Sequence, residues 1–263
     1  MAEFFGLSKL TDGNYGFLRS AEGAWSWQHL LQVSVLMLLM VGLAIFFGKK
    51  NRNKTGKEKN LVLIVCAFLI NAFEIVKIVV LCVRCKDPLH WLYVLPLFLC
   101  SIQLIAIPMA AFCKGRIKEA CLDFVLTFGI LGAVFGTVGA TQNYGCYPVL
   151  SMDNVFSGVT HSISGFASLY IAISGLVSLK KENFFITVLV LLGFSVLAYV
   201  ANIILDYNYM FLMYHDGTPY SIFYNMVGGS KIFYPLVVVG VFVIYLVLFY
   251  FIYLKFIKKE TKA

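Results

Sequence analysis

Charged residues are scarce in this chain of 263 residues, because Asp, Glu, Lys and Arg together make up only 13% of it. A soluble globular domain averages about 25% charged residues. Hydrophobic residues make up 60% of the chain, and the mean hydropathy is +0.86. The shortage of charge excludes a disordered chain, a disulfide scaffold and an ordinary cytosolic enzyme. It predicts an integral membrane protein with nearly all of its mass in the membrane.

Patterns typical of other membrane-associated chains are also missing. Ten-residue segments of alternating hydrophobicity, which mark transmembrane barrels, do not occur, so helices are the expected spanning structure. Residues 1–24 lack the unbroken apolar core of a signal peptide. What the chain does contain is seven apolar stretches, each long enough to cross about 30 Å of hydrocarbon as a helix. These predicted spans are 29–47, 61–83, 91–112, 120–138, 158–179, 184–205 and 232–254.

The distribution of lysine and arginine predicts the orientation of these spans. Fifteen of the 21 basic residues follow spans one, three, five and seven, which puts them on one side of the membrane. They are Lys49, Lys50, Arg52, Lys54, Lys57, Lys59, Lys114, Arg116, Lys118, Lys180, Lys181, Lys255, Lys258, Lys259 and Lys262. Because basic loops stay in the cytoplasm, the N-terminus is expected outside and the C-terminus inside.

The predicted fold is therefore a single all-α, polytopic membrane domain of seven transmembrane helices over residues 1–263. Residues 1–24 form a short outer segment, and residues 255–263 form a basic cytoplasmic tail. The net charge of +8 is explained by topology and by attraction to anionic lipid, so no nucleic-acid partner is expected. A multi-pass membrane protein is predicted, located in the plasma membrane if the source is bacterial.

Polar residues within the spans are the candidates for function, because an ionisable group in lipid is costly. In the predicted orientation, polar residues from five spans or span ends lie in the outer half of the membrane, which predicts one site opening toward the outer leaflet. If the third span is helical, Cys100 lies about 14 Å from Trp91, and Gln103 lies one turn deeper on the same face. The candidate residues are His29, Glu74, Lys77, Cys100, Gln103, His161, Asp206, Asn208 and Tyr209.

Several of these residues have a purely structural alternative. Glu74 and Lys77 are three residues apart on one helix and neutralise each other in that reading. His29 and Asp206 are interfacial residues in the same reading, in contact with water. Cys100 is one of seven cysteines, and an unpaired cysteine is an ordinary small buried residue.

Cys82 and Cys85 form a C-x-x-C pair at the end of span two. No second pair and no neighbouring cluster of metal ligands accompanies them, so no metal site is expected at this pair. No tightly bound cofactor is expected either, and a weak metal site formed by His29, Glu74 and His161 is the alternative. A disulfide from one of them to Cys146 in the next outer loop and unpaired thiols both remain open.

The run Leu95-Pro96-Leu97-Phe98-Leu99-Cys100 resembles the L-P-L-H-L-C signature of the YwaF-like bacterial membrane proteins and the transmembrane protein 164 family. Other short motifs match this family in order along almost the whole chain. They are the pair His29-Leu30 opening the first helix, the acidic Glu74 in the second, His161 opening the fifth, and the run Asn208-Tyr209-Met210-Phe211-Leu212 after the sixth. Two positions depart from the signature, since Phe98 replaces its histidine and Ser101 its polar, often acidic, residue.

The resemblance implies a lipid acyltransferase, the activity attributed to the eukaryotic members. It implies that Cys100 carries the acyl chain and that His161 activates the thiol. The chemistry is coherent, because acyl transfer between lipids needs a nucleophile and a thiol serves once a neighbouring base has deprotonated it. Imidazole is the usual base, and Glu74, Asn208 or His29 would orient it. The expected partner is a membrane phospholipid or lysophospholipid, and acyl hydrolysis is the related alternative.

Two other readings remain. The first is a transporter, channel or receptor with a polar pocket in the outer half of the membrane. A retinal protein is not expected, since residues 232–254 contain no lysine for a Schiff base. The second is a catalytically inactive relative, for which Phe98 is the main argument. A lipid-sized cavity open to the outer leaflet, with the Cys100 sulfur near a nitrogen of His161, would favour the enzyme. A polar path that crosses to the cytoplasmic side would favour transport.

Overall fold

A computed structural model of the chain describes residues 1–176 and 179–257, and the architecture is almost entirely helical. The predicted tail lies outside the described residues from position 258 onward. The helices are α1 (Trp27–Asn51), α2 (Gly56–Arg84), α3 (Gln103–Phe112), α4 (Gly115–Thr137), α5 (Thr141–Cys146), α6 (Met152–Ser174), α7 (Phe184–Leu205), α8 (Ser221–Met226) and α9 (Phe233–Ile252). Short 3-10 turns occupy His90–Tyr93, Lys181–Asn183 and Tyr209–Phe211, and a π turn occupies Tyr253–Ile257. Two strands, β1 (Ser8–Lys9) and β2 (Tyr15–Gly16), pair antiparallel.

Five segments within the described residues are long and apolar enough to cross a membrane. They are Trp27–Asn51, Gly56–Arg84, Gly115–Cys146, Lys181–Leu205 and Phe233–Lys255. The prediction of an all-helical membrane protein is therefore confirmed at this level. The two remaining predicted spans correspond to α3, which has only ten residues, and to the more polar α6.

The prediction of a continuous third helix over residues 91–112 is wrong. The chain makes a 3-10 turn at His90–Tyr93, continues without regular structure over residues 94–102, and becomes helical only at Gln103. Pro96 explains the break, because it has no N–H to donate and disfavours helical geometry at Leu95. Cys100 therefore lies in an irregular segment, and the depth calculated for it from helical rise does not apply.

Helix α6 begins and ends at clear local signals. The side chain of Ser151 accepts a hydrogen bond from the N–H of Asn154 at 3.3 Å, which caps the start of the helix. Gly175 ends it with a φ of 64°, a left-handed conformation that glycine adopts without steric cost. The helix therefore starts six residues before the predicted fifth span, which placed its first residue at Gly158.

Helix α6 lies at the centre of the structure and packs against α1, α2 and α4. The approach to α4 is close because small residues face it. A Cβ atom added at Gly129 would lie only 2.6 Å from the carbonyl oxygen of Ser164. Such contact through small residues is typical of helix pairs in membranes. It brings the same faces of α4 and α6 together further along, where the candidate site lies.

Residues 1–24 fold over the adjoining ends of α2 and α6. The carbonyl of Phe4 accepts a hydrogen bond from the N–H of Met152 at 2.8 Å. Arg19 donates to the carbonyl of Leu150 at 2.7 Å, and Glu22 accepts from the N–H of Val149 at the same distance. The segment is thus tied to the loop that precedes α6.

A buried ion pair lies beneath this segment. The guanidinium of Arg84 binds both carboxylate oxygens of Asp153 at 2.7 and 2.6 Å, and the two side chains are only 9% and 8% exposed. The guanidinium also lies over the rings of Phe17 and Tyr147, 5.5 and 5.4 Å from their centroids. The pair therefore joins the end of α2, the start of α6 and the N-terminal segment.

Arg84→Met is expected to lower the free energy of unfolding by about 3–5 kcal/mol, because it leaves the Asp153 carboxylate buried without its partner. Thermal or denaturant unfolding of the purified protein in detergent measures the change. Arg116→Met, at an exposed position, is the matched control and should have little effect. Adding Asp153→Asn to Arg84→Met should cost little more, so two fully additive losses would contradict the coupling.

Candidate active site

Cys100 lies in the irregular segment, three residues before α3 begins at Gln103. Its side chain is half-buried and packs on α4 at a glycine. A Cβ atom added at Gly132 would lie 3.3 Å from the Cβ of Cys100 and 3.5 Å from its Cα. The break in the third span therefore presents Cys100 directly to the small-residue face of α4.

His161 faces the same region from α6. Its Nδ1 lies 2.7 Å from the carbonyl oxygen of Ser157, one helical turn earlier. Since a carbonyl only accepts, this contact assigns the ring proton to Nδ1 and leaves Nε2 as the acceptor. The Oγ of Ser157 also lies 3.4 Å from Nδ1. One residue thus orients the ring and selects its tautomer.

The structure brings Cys100 and His161 together. Both side chains line one pocket, and Cys100 packs on Gly132, one turn of α4 before Gly136. Gly136 on α4 makes room for the ring, because a Cβ atom added there would overlap Cδ2 and Nε2 of His161. With Nδ1 bound to a carbonyl, Nε2 is the nitrogen that can take a proton from sulfur.

A pocket with about 320 Å³ of empty volume, counting its open side, surrounds this pair. Glu74 and Lys77 from α2 also lie in it, with Nζ of Lys77 2.6 and 2.7 Å from the two carboxylate oxygens. Hydroxyl groups account for most of the other polar lining. The complete lining is Ile70, Glu74, Lys77, Cys100, Ser101, Leu104, Ser157, Thr160, His161 and Ser164.

Five of the predicted site residues do not line this pocket. His29 is fully buried at the start of α1, where Nδ1 accepts from the N–H of Trp25 at 2.9 Å and the ring packs 3.8 Å from that of Tyr144. Asp206 is exposed just after α7. Gln103 is buried, and neither polar atom of its side chain has a hydrogen-bond partner within the described chain.

Asn208 and Tyr209 belong to the loop after α7 and act on the backbone. Asn208 accepts from the N–H of Met213 at 3.0 Å and donates to the carbonyl of Tyr214 at 2.9 Å. The hydroxyl of Tyr209 donates to the carbonyl of Leu92 and accepts from the N–H of Leu95 at 3.3 Å. Tyr209 therefore satisfies backbone groups that the broken third helix leaves without helical partners.

Tyr209→Phe is expected to loosen the segment that carries Cys100. It leaves the carbonyl of Leu92 and the N–H of Leu95 without their partner, which costs about 1–3 kcal/mol for a buried group. Hydrogen exchange should show faster exchange at the Leu95 amide. Tyr93→Phe, whose hydroxyl has no hydrogen bond among the described residues, is the control. Equal protection of Leu95 in both variants would contradict this role.

Phe98, which replaces the signature histidine, packs in an aromatic cluster outside the pocket lining. Its ring centroid lies 5.3 Å from that of Tyr209, 5.7 Å from Phe211 and 6.5 Å from Tyr207. These rings hold the irregular segment against the loop after α7. Phe98 thus supports the position of Cys100 through packing and does not line the Cys100–His161 pocket.

Ser157 and Gly136 were not among the site residues predicted from the sequence. Ser157 precedes His161 by four residues, and this spacing places its carbonyl one turn below the histidine on any helix. That signal was available in the sequence. The fit of Gly136 against the His161 ring had no sequence signal beyond the run of small residues.

Metal ligands do not gather in the part of the chain that the structure describes, where no group of three or more His, Cys, Asp or Glu side chains could hold an ion. All seven cysteines fall within that part and are unpaired. Cys85 instead lies with its Sγ 3.6 Å from Nε2 of His90. In this structure Cys82, Cys85 and Cys146 are all free thiols.

The comparisons with known proteins agree with the ordered motifs. No curated protein and no solved structure gives a significant match to the chain. A family model does match, and it extends from residue 24 to residue 253, which includes α1, the irregular segment with Cys100, and α6 with His161. The chain belongs to the TMEM164 family.

Proposed function

We propose that the protein is a membrane-embedded acyltransferase that moves acyl chains between phospholipid and lysophospholipid, with hydrolysis as the outcome when water is the acceptor. The observation that carries this proposal is the pairing of Cys100 with His161 in one pocket, with the Nδ1 of the ring bound to the Ser157 carbonyl. A thiol, a base and a group that orients the base form the arrangement required for nucleophilic catalysis. The activity attributed to eukaryotic members supports the same reading.

In the proposed first half-reaction, Nε2 of His161 takes the thiol proton and the sulfur attacks the ester carbonyl of a phospholipid. The carbon–sulfur bond forms as the carbonyl π electrons move to oxygen. When this intermediate collapses, the ester carbon–oxygen bond breaks, and the leaving alkoxide takes the proton from Nε2. The products are a lysophospholipid and an acyl thioester on Cys100.

The second half-reaction reverses these roles. The hydroxyl of a lysophospholipid gives its proton to Nε2 and attacks the thioester carbonyl. The carbon–sulfur bond then breaks, and the thiolate recovers the proton from the imidazolium. Exclusion of water from a site within the bilayer favours transfer over hydrolysis.

The proposal includes the seven-span topology, with the N-terminus outside and the C-terminus in the cytoplasm. Helix α3 has ten residues and rises only about 15 Å, so residues 90–102 complete the third crossing. Non-helical backbone at membrane depth is tolerated where protein surrounds it. The hydrogen bonds of Tyr209 to Leu92 and Leu95 support this part of the proposal. In a bacterial cell the host membrane would be the plasma membrane.

The test is to trap the acyl-enzyme. The purified protein is incubated with phospholipid labelled in its acyl chain, quenched in acid and digested, and hydroxylamine-sensitive label is mapped by mass spectrometry. Label is expected on the Cys100 peptide, and unlabelled lysophospholipid should remove it and yield labelled phospholipid. Absence of label from Cys100, or equal label on Cys113, would overturn the proposal. Cys113 is the internal control, since it is unpaired and does not line the pocket.

A further inference from the structure

The Glu74–Lys77 pair is the charged part of the pocket, and the proposed proton transfers do not use it. Lys77 is the only lysine or arginine among the described residues that line this pocket. The side chain of Lys77 is 20% exposed and that of Glu74 is 12% exposed, so the pair is neither a solvated surface contact nor sealed from the pocket. The positive charge of Lys77 in this partly exposed position favours a negative charge on a group that enters the pocket.

The geometry leaves part of the ammonium available. The two carboxylate oxygens of Glu74 lie 2.6 and 2.7 Å from Nζ of Lys77. An ammonium group has three N–H donors, and the two carboxylate contacts leave one donor for another acceptor. The carboxylate also limits the rotation of the long lysine side chain. Glu74 thus positions Lys77, and Lys77 retains a donor for a group that enters the pocket.

Lys77 lines the same pocket as Cys100 and His161, so its charge lies within the site of the reacting pair. Two effects of such a charge are distinguishable by their chemistry. It could stabilise the thiolate of Cys100 before any substrate reacts. Alternatively, it could stabilise the oxygen that becomes negative only while the thiolate is adding to an ester. The spare donor favours the second effect, because a hydrogen bond to an oxyanion needs a directed N–H.

We propose that Lys77 is a catalytic residue that donates a hydrogen bond to the oxyanion of the tetrahedral intermediate, an inference that rests on the proposed acyl transfer. As the sulfur bonds to the carbonyl carbon, the π pair moves to the carbonyl oxygen, and the third N–H of Lys77 meets that charge. When the intermediate collapses, the pair returns to the carbonyl and the ester carbon–oxygen bond breaks. Lys77 keeps its proton throughout, and His161 carries the transferred proton.

The test compares two reactions of the same sulfur. An activated acyl ester acylates Cys100 through an oxyanion, whereas iodoacetamide alkylates it by displacement with no oxyanion. Lys77→Met is expected to slow acylation about 10²–10³-fold, the loss typical of one oxyanion donor, while alkylation keeps the rate of the unsubstituted protein. Lys77→Arg should retain part of the acylation rate. Lys57→Met, on the exposed surface of the same helix, is the matched control for losing a lysine from α2.

The double variant Glu74→Gln with Lys77→Met removes both charges and guards against misfolding from an unpaired buried carboxylate. It should show the same selective loss of acylation. The inference is overturned if Lys77→Met acylates at the unsubstituted rate, or if acylation and alkylation fall together. If the unsubstituted protein does not acylate Cys100 at all, the proposed function fails as well, and that outcome is distinct from either of the others.

Discussion

Replacing Cys100 by alanine is expected to abolish acyl transfer, because the substitution removes the sulfur on which the thioester forms. The scaffold should remain intact, since Cys100 lies in a non-helical segment held by Tyr209 and by packing on Gly132. Transfer of labelled acyl chains from phospholipid to lysophospholipid in vesicles measures the effect. Cys113→Ala is the control, because it removes an unpaired thiol that does not line the pocket.

Removal of the base should cost less than removal of the nucleophile. A positioned general base contributes about 10²–10⁴-fold, so His161→Ala should leave a slow residual reaction on Cys100. Undiminished transfer in both Cys100→Ala and His161→Ala would refute the pair. Loss in the histidine variant alone would assign His161 to a different nucleophile.

Gly136→Ala is expected to be nearly as damaging as removal of the base, although it changes no polar group. The added methyl would overlap Cδ2 and Nε2 of His161 and come within 2.7 Å of Cγ, so the ring must leave its place. Transfer should fall by about 10²–10⁴-fold, the full contribution of a general base. Alkylation of Cys100 by iodoacetamide should slow as well, since the displaced ring no longer deprotonates the thiol.

Gly136→Ala distinguishes an effect on the position of the His161 ring from an effect on folding. Alanine is the better helix former by about 1 kcal/mol, so α4 itself should not be weakened. Gly193→Ala in α7 is the matched control, because a Cβ atom added there meets nothing within 4 Å. Normal transfer by Gly136→Ala would mean that the ring does not need its position against α4, and it would count against His161 as the base.

The sequence was most informative where a signal is local. The apolar stretches predicted α1, α2, α7 and α9 closely, because hydrophobicity over about 20 residues follows from the thickness of the hydrocarbon. Pro96 is an equally local signal, and it indicates a break in the helix. The prediction of a continuous third span over residues 91–112 followed the hydropathy of the segment and did not take this proline into account. A hydropathy pattern says that a segment is buried, whereas the missing N–H of a proline says how the backbone must run.

The placement of site residues was only partly predictable, because sequence position indicates depth better than it indicates direction. Cys100 and His161 line one pocket. His29 was expected at a comparable depth, yet it faces Tyr144 and lies outside the pocket. Direction around a helix depends on which neighbours it packs against, and no local pattern reports that.

Contacts between residues far apart in the sequence could not be predicted either, because they also depend on how the helices pack. Arg84 and Asp153 are 69 positions apart and form a bidentate ion pair. Taken alone, each residue is a charged residue near the end of a predicted span, and nothing in its local sequence indicates its partner. The role of Tyr209 depended likewise on a contact with Leu92, 117 positions earlier in the chain.

The hydrogen bonds between the N-terminal segment and the loop before α6 have a consequence for biogenesis. Residues 1–24 are synthesised before the backbone groups of Val149, Leu150 and Met152 that bind them. Contacts so distant in sequence form late, after the intervening chain has been made and inserted. The part of the described chain that leaves the ribosome first is therefore expected to reach its final structure among the last, once the central helix has been synthesised.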